Sequence, residues 1–213
     1  MKLILVFGDS IAWGAYDSKP GGWVGRLDSF LKKERKLQFE LSNLAVDGDI
    51  TTNLLTRFES EIASKIRNKS IRYKSEVIII FALGINDSYF VKIRNDFMTP
   101  PEEFKKNITK LIASARKFSL KIIFVGLTPV DELRVTPIPW NPDLSYRNEY
   151  IKRYDDIIEK SCEEEKAEFV EIFDGWMKTG YSDLLEDGLH PNEQGHKKIF
   201  GEVKSFLISK NII

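Results

Sequence analysis

Apolar positions along this chain follow two rhythms. Four short apolar runs stand out as strands: Leu3–Phe7, Val77–Leu83, Lys121–Leu127 and Glu168–Ile172. Within them, Ile78-Ile79-Ile80-Phe81 and Ile122-Ile123-Phe124-Val125 do not alternate with polar residues. That is the pattern of strands covered on both faces, as in a parallel sheet. Phe39–Ala45 predicts a weaker fifth strand. The second rhythm is helical. Phe104, Ile108, Leu111, Ile112 and Ala115 share a face, behind a Thr99-Pro100-Pro101-Glu102 start with a capping threonine and a first-turn proline. Tyr146, Tyr150, Tyr154, Ile157 and Ile158 repeat the spacing. So do Ile199, Phe200, Val203, Phe206 and Leu207, in a last helix opened by Pro191. Weaker helical patterns span Trp23–Lys36 and Thr52–Arg67.

Strand and helix therefore alternate, which predicts an α/β sandwich wound about a parallel sheet. In such sheets ligands bind at the carboxyl ends of the strands. With 213 residues and no repeat or low-complexity linker, residues 1–213 are expected to form one domain. Thr128 to Asn148 breaks the rhythm with Pro129, Pro137, Pro139 and Pro142. It predicts an irregular excursion over the top of the sheet, where it can shape a pocket.

Composition narrows the function classes. Lys+Arg and Asp+Glu both number 32, so no global field favours nucleic acid or an anionic membrane. The single cysteine, Cys162, can form no intrachain disulfide and is expected as a half-buried structural thiol. Two histidines, His190 and His196, are too few for a histidine-rich metal site. The first apolar run is too short for the core of a signal peptide, and no run approaches a membrane span, so the cytoplasm is the expected location.

Four polar groups fall at strand ends or just before a helix. Gly8-Asp9-Ser10 follows the first run, and Asn43 to Thr52, containing Gly48-Asp49, follows the weak strand. Gly84-Ile85-Asn86-Asp87 follows the Val77–Leu83 run, and Asp187-Gly188-Leu189-His190-Pro191-Asn192 precedes the last helix. Taken singly, each is a cap or a turn. Together they hold complementary chemistry. A serine is a weak nucleophile until a base takes its proton, and histidine titrates near neutrality. A carboxylate can fix that imidazole, and Asp187 and His190 are close enough to meet across one turn. A glycine N–H at Gly48 and the Asn86 amide are donors suited to a developing oxyanion.

These blocks resemble those of the SGNH, or GDSL-type, esterases and lipases. They match in order from residue 8 to 192, and Thr128-Pro129 resembles a further family feature. Ile11 departs conservatively from the leucine of the family's short name. The resemblance implies Ser10 as nucleophile, His190 as general base and then acid, and Asp187 as the acid that orients it. It implies an oxyanion hole of the Ser10 and Gly48 N–H groups and the Asn86 amide. The implied fold is a flavodoxin-like three-layer α/β/α sandwich on a five-stranded parallel sheet. No metal or organic cofactor is implied. The implied function is hydrolysis of carboxylic esters, with short-chain alkyl esters, acetylated sugars, thioesters and lysophospholipids all within the family's range and acyl transfer as a close variant. With no membrane-length run or long apolar lid in the sequence, small, soluble esters with short-chain acyl or acetyl groups are expected. A catalytically silent domain that binds acylated carbohydrate or a protein partner is the reading from another class. A nucleotide-binding protein fits poorly, because Gly-x-Gly-x-x-Gly and the phosphate-loop pattern are absent.

Several residues keep plainer expectations. Asp9 is expected to cap the loop. Asp47, Asp49 and Asp87 raise a magnesium or calcium reading but are expected as turn and cap acids. His196 is expected to be packed or solvent-facing within the last helix. Trp13, Trp23, Tyr89, Phe90, Phe97, Met98 and Trp140 are expected as core, with an acyl pocket or sugar platform as the alternative. Gly21-Gly22 is expected as a turn beside that pocket or as the approach to a helix.

Overall fold

The apolar runs become the centre of a parallel sheet in the computed structural model, which describes residues 2–35, 38–67 and 76–213. In chain order the elements begin with β1 (Lys2–Gly8), α1 (Ser10–Trp13), α2 (Gly22–Phe30), β2 (Phe39–Asn43), α3 (Thr51–Arg67) and β3 (Val77–Ala82). Then come β4 (Phe90–Val91), β5 (Asp96–Phe97), α4 (Pro101–Ala115), β6 (Lys121–Val125) and α5 (Glu132–Val135). The chain closes with β7 (Leu144–Ser145), α6 (Asn148–Glu165), β8 (Glu168–Val170), α7 (Phe173–Thr179) and α8 (Glu193–Ser209). The main sheet has five strands in the order β2-β1-β3-β6-β8, all parallel. That is the flavodoxin-like order, and its direction reverses between β1 and β3.

Both faces of the sheet are covered, which makes three layers. Leu3, Leu5 and Phe7 of β1 pack with Leu54 and Phe58 of α3, Phe104 and Ile108 of α4, and Tyr154 and Ile158 of α6. The alternate residues Ile4 and Val6 pack with Trp23 and Leu27 of α2 and with Ile199 and Val203 of α8. Burying a side chain of this size contributes about 1.5–3 kcal/mol. The registers Phe7↔Phe81 and Phe81↔Phe124 line up one phenylalanine from each of three central strands. Their ring centroids are 6.0 and 4.7 Å apart. This aromatic row lies directly beneath the strand ends that carry the polar blocks.

Several expectations shift in detail. The expected Thr99 cap is not made: α4 starts at Pro101 with no side-chain cap, and Thr99 turns inward to Asp87. Tyr146 lies ahead of α6 rather than on it, because Asn148 begins that helix. The Trp23–Lys36 pattern becomes α2 and a π turn over Leu31–Arg35, with Lys36 outside the described residues. Asn192, not Pro191, caps α8, accepting from the Gln194 and Gly195 N–H groups. The Pro-rich excursion is partly ordered: it holds α5, and its β7 joins β4 and β5 in a small antiparallel sheet. Cys162 is buried rather than half-buried.

Candidate active site

Ser10 stands at a sharp turn from β1 into α1. The Asp9 N–H still donates to the Ala82 carbonyl at 3.3 Å, extending the β1–β3 pairing by one residue. The chain then folds back so tightly that a Cβ on Gly8 would lie 2.4 Å from the Ala12 Cβ and 2.5 Å from the Ala82 oxygen. Only glycine allows that approach. Asp9 caps α1 as expected, its Oδ1 accepting from the Ile11 N–H at 3.0 Å. Its carboxyl is buried, and burial pushes its pKa to about 7 against the Ile11 hydrogen bond. Ser10 itself is only 4% exposed.

The segment ahead of α8 brings His190 to Ser10 across 180 positions of sequence. Asp187 shapes it: Oδ1 accepts from the N–H groups of Leu189, at 2.9 Å, and His190, at 2.8 Å. Its Oδ2 accepts from His190 Nδ1 at 2.7 Å. With a proton on Nδ1, Nε2 is left as an acceptor, and it lies 3.0 Å from Ser10 Oγ. Burial works against ionisation of Asp187, but the hydrogen bonds from the His190 ring and the two N–H groups hold its pKa at about 2. Arg134 of α5 donates to the Glu186 carbonyl at 2.6 Å and so braces this segment from outside.

Gly48 and Asn86 follow β2 and β3. Gly48 is exposed at φ 72°, and a Cβ there would meet nothing within 4 Å. Conformation rather than space therefore calls for glycine at this turn. Arg57 of α3 steadies the turn, donating to the Leu44 carbonyl at 2.9 Å and to Asp49 at 3.1 Å through Nε. The Asn86 amide is buried. One Nδ2 hydrogen goes to the Asp49 carbonyl at 3.1 Å, and Oδ1 accepts from the Tyr146 hydroxyl at 2.9 Å. An amide nitrogen carries two hydrogens, so one remains for a ligand. Tyr146 is the site residue that sequence reasoning missed, having placed it on a helix face.

The remaining acids have structural partners. Asp87 accepts from the Thr51 N–H at 3.1 Å and the Thr51 hydroxyl at 2.6 Å, at the start of α3. Asn107 donates to that same hydroxyl at 3.1 Å. Burial raises the Asp87 pKa to about 6, against the Thr51 and Thr99 hydrogen bonds. Asp49 pairs with Arg57, and Asp47 is exposed. Among the described residues, no three His, Cys, Asp or Glu side chains converge as a metal site.

His196 is fully buried, so of its two expected placements the packed one holds. Its Nε2–H donates to the Ala15 carbonyl at 2.8 Å, and Nδ1 accepts from the Trp23 N–H at 3.3 Å. Burial lowers its pKa, favouring the neutral ring that this pattern requires. The aromatics divide. Trp23 is buried in the core, and Tyr89 packs edge-on against Tyr146 at 5.6 Å. Trp13, Tyr16 and Trp140 are more than half exposed. The Tyr16 ring lies 5.2 Å from the His190 ring, a second residue that sequence reasoning passed over. Near the strand ends, a cavity of about 30 Å³ is bounded in part by Asp9, Ile11, Leu83, Ile85 and Thr128, with Ser10 outside its lining.

A hydroxyl bonded to an imidazole, itself bonded to a carboxylate and flanked by a buried amide donor, is equipped for acyl transfer. The comparisons agree. Residues 6–198 match the GDSL-like lipase/acylhydrolase family. The chain is 26% identical to the isoamyl acetate-hydrolyzing esterase of Saccharomyces cerevisiae, over 93% of this chain and 83% of that one. It is 22% identical to an arylesterase of Vibrio mimicus, over 96% and 88%. A lipase/acylhydrolase from Enterococcus faecalis superposes with a TM-score of 0.72 at 18% identity, over 99% and 97%. Among the described residues, no helix is long and apolar enough to cross a membrane. Family match, sheet order and the strand-end blocks agree, and the chain belongs to the GDSL-like lipase/acylhydrolase family of ester hydrolases.

Proposed function

We propose that this chain is a serine esterase that cleaves small carboxylic esters with short acyl groups, by way of an acyl-enzyme. The observation that carries the reading is the bonded series Ser10 Oγ, His190 Nε2, His190 Nδ1 and Asp187 Oδ2, with separations of 3.0 and 2.7 Å. It lies where the sheet order reverses, the usual ligand position of this architecture.

Ser10 Oγ attacks the ester carbonyl while His190 Nε2 takes its proton. The carbonyl π pair moves onto oxygen, and the oxyanion is received by the Ser10 and Gly48 N–H groups and the free Asn86 hydrogen. As the carbonyl carbon–alkoxy bond breaks, His190 gives the proton to the departing alkoxide. Water then repeats the sequence on the acyl-enzyme and releases the carboxylic acid. Asp187, ionised at any pH well above 2, holds the imidazole in the needed tautomer and stabilises its cationic form.

Short acyl groups are supported by the relative named for isoamyl acetate, an ester with a two-carbon acyl group. Ser10→Ala, shown to fold by circular dichroism, is expected to lose on the order of 10⁴-fold or more in kcat on p-nitrophenyl acetate. Retention of wild-type turnover by that variant would remove Ser10 as the nucleophile.

A further inference from the structure

The direction of proton transfer identifies which side of Ser10 holds the alcohol half of the ester. His190 Nε2 must hand its proton to the leaving alkoxide, so that group lies against the imidazole. The exposed ring in contact with the imidazole is Tyr16, at 5.2 Å between centroids. Tyr16 and Trp13, each 56% exposed, also wall one open cleft of about 630 Å³, with Pro20 and Asn43 among its other sides. Two large aromatic faces on one cleft form an apolar patch of the kind that marks a ligand site.

Two further observations say the shelf is built rather than incidental. Tyr16 sits at φ 61°, a left-handed conformation that a tyrosine holds only when its surroundings impose it. The segment is also held from beneath. The Ala15 carbonyl accepts from the buried His196 at 2.8 Å, and Asp17 accepts from Arg26 at 2.8 Å. Ser18 donates to Glu193 at 2.5 Å, tying the segment to the first turn of α8, just beyond His190. The backbone that carries Tyr16 is therefore fixed before binding, and less ordering is needed there.

We propose that Trp13 and Tyr16 form the alcohol subsite, and that it selects esters whose alcohol carries a six-membered ring with a flat apolar face. Aryl rings and pyranose rings share that face. The proposal rests on the esterase reading and adds the substrate class to it.

The test measures kcat/KM for ethyl acetate, phenyl acetate and a methyl pyranoside monoacetate, each as the ratio of variant to wild type, so that intrinsic ester reactivity cancels. Trp13→Leu and Tyr16→Asn are the variants, asparagine being chosen because it tolerates the left-handed backbone. Both are expected to lose about tenfold more on ring esters than on ethyl acetate, with the excess mainly in KM. Trp13→Phe, which keeps a flat face, should recover most of it. Excess loss on phenyl acetate alone assigns the shelf to aryl alcohols, and on the pyranoside alone to sugars. Equal losses on all three esters overturn the shelf and leave the esterase reading standing. Failure of the wild type on every ester overturns both.

Discussion

On the Asn86 flank of Ser10, buried polar side chains hold one another: Tyr146 on Asn86, Thr51 on Asp87, Arg57 on Asp49. On the Tyr16 flank, two aromatic rings stand half in water over an open cleft. The proposed mechanism accounts for the difference. An oxyanion is small and always in the same place, so a side-chain donor such as Asn86 gains from being held fixed. The alcohol half of an ester varies in size and must leave, which suits an open flank. The same contrast separates the two histidines. His190 keeps Nε2 for Ser10, whereas both ring nitrogens of His196 are committed to backbone groups.

The sharpest break of that contrast is at the histidines. His190→Ala should cost on the order of 10⁴-fold or more in kcat on p-nitrophenyl acetate, with the melting temperature little changed. His196→Phe should instead cost about 1–3 kcal/mol of stability by urea titration, because it leaves the half-buried Ala15 carbonyl and the buried Trp23 N–H without partners. If the two variants exchanged these signatures, the roles assigned here would be reversed.

Next is Asn86→Ala. Loss of one oxyanion donor should lower kcat by about 10²–10³ with a small change in KM. Tyr146→Phe keeps the donor and loosens it, so a fall of up to about tenfold in kcat is expected. A Tyr146→Phe effect as large as that of Asn86→Ala would mean that the phenol does more than steady the amide.

The last effect is on how stability depends on pH and leaves the chemistry of Ser10 aside. The Asp9 carboxyl has a pKa of about 7 when folded, against an ordinary 3.8. The folded chain binds the proton more tightly, so this residue's contribution to stability falls as pH rises from about 4 to 7. Asp9→Asn can still cap and cannot ionise. Its melting temperature should match wild type near pH 4 and exceed it by at least about 2–4 °C at pH 7. A difference that does not vary with pH would contradict the buried, shifted carboxyl.

Much of this was legible in the chain, for identifiable reasons. β1, β3 and β6 read clearly because both faces are buried, so nearly every position is apolar. β2 read weakly because it is an edge strand and only half-buried. The meeting of Ser10, His190 and Asp187, and the turns that hold Gly48 and Asn86, were legible because each block directly follows a strand or precedes a helix, where geometry and sequence coincide. Tyr146 was not. Its partner lies 60 residues away, and its spacing from Tyr150 and Tyr154 imitates a helix face. β4, β5 and β7 have two residues each, too few for any period to show. Thr99 carried a capping signature, but the buried Asp87 carboxyl took its side chain instead. Tyr16 could be found only once its ring was seen against His190.

The central claim is that His190 activates the Ser10 hydroxyl. Treating the folded protein with an alkyl fluorophosphonate and mapping the adduct by mass spectrometry tests it most directly. The account predicts one adduct per chain, on Ser10, and none on the folded His190→Ala protein. A folded wild-type chain that stays unlabelled, or is labelled equally well without His190, would contradict it.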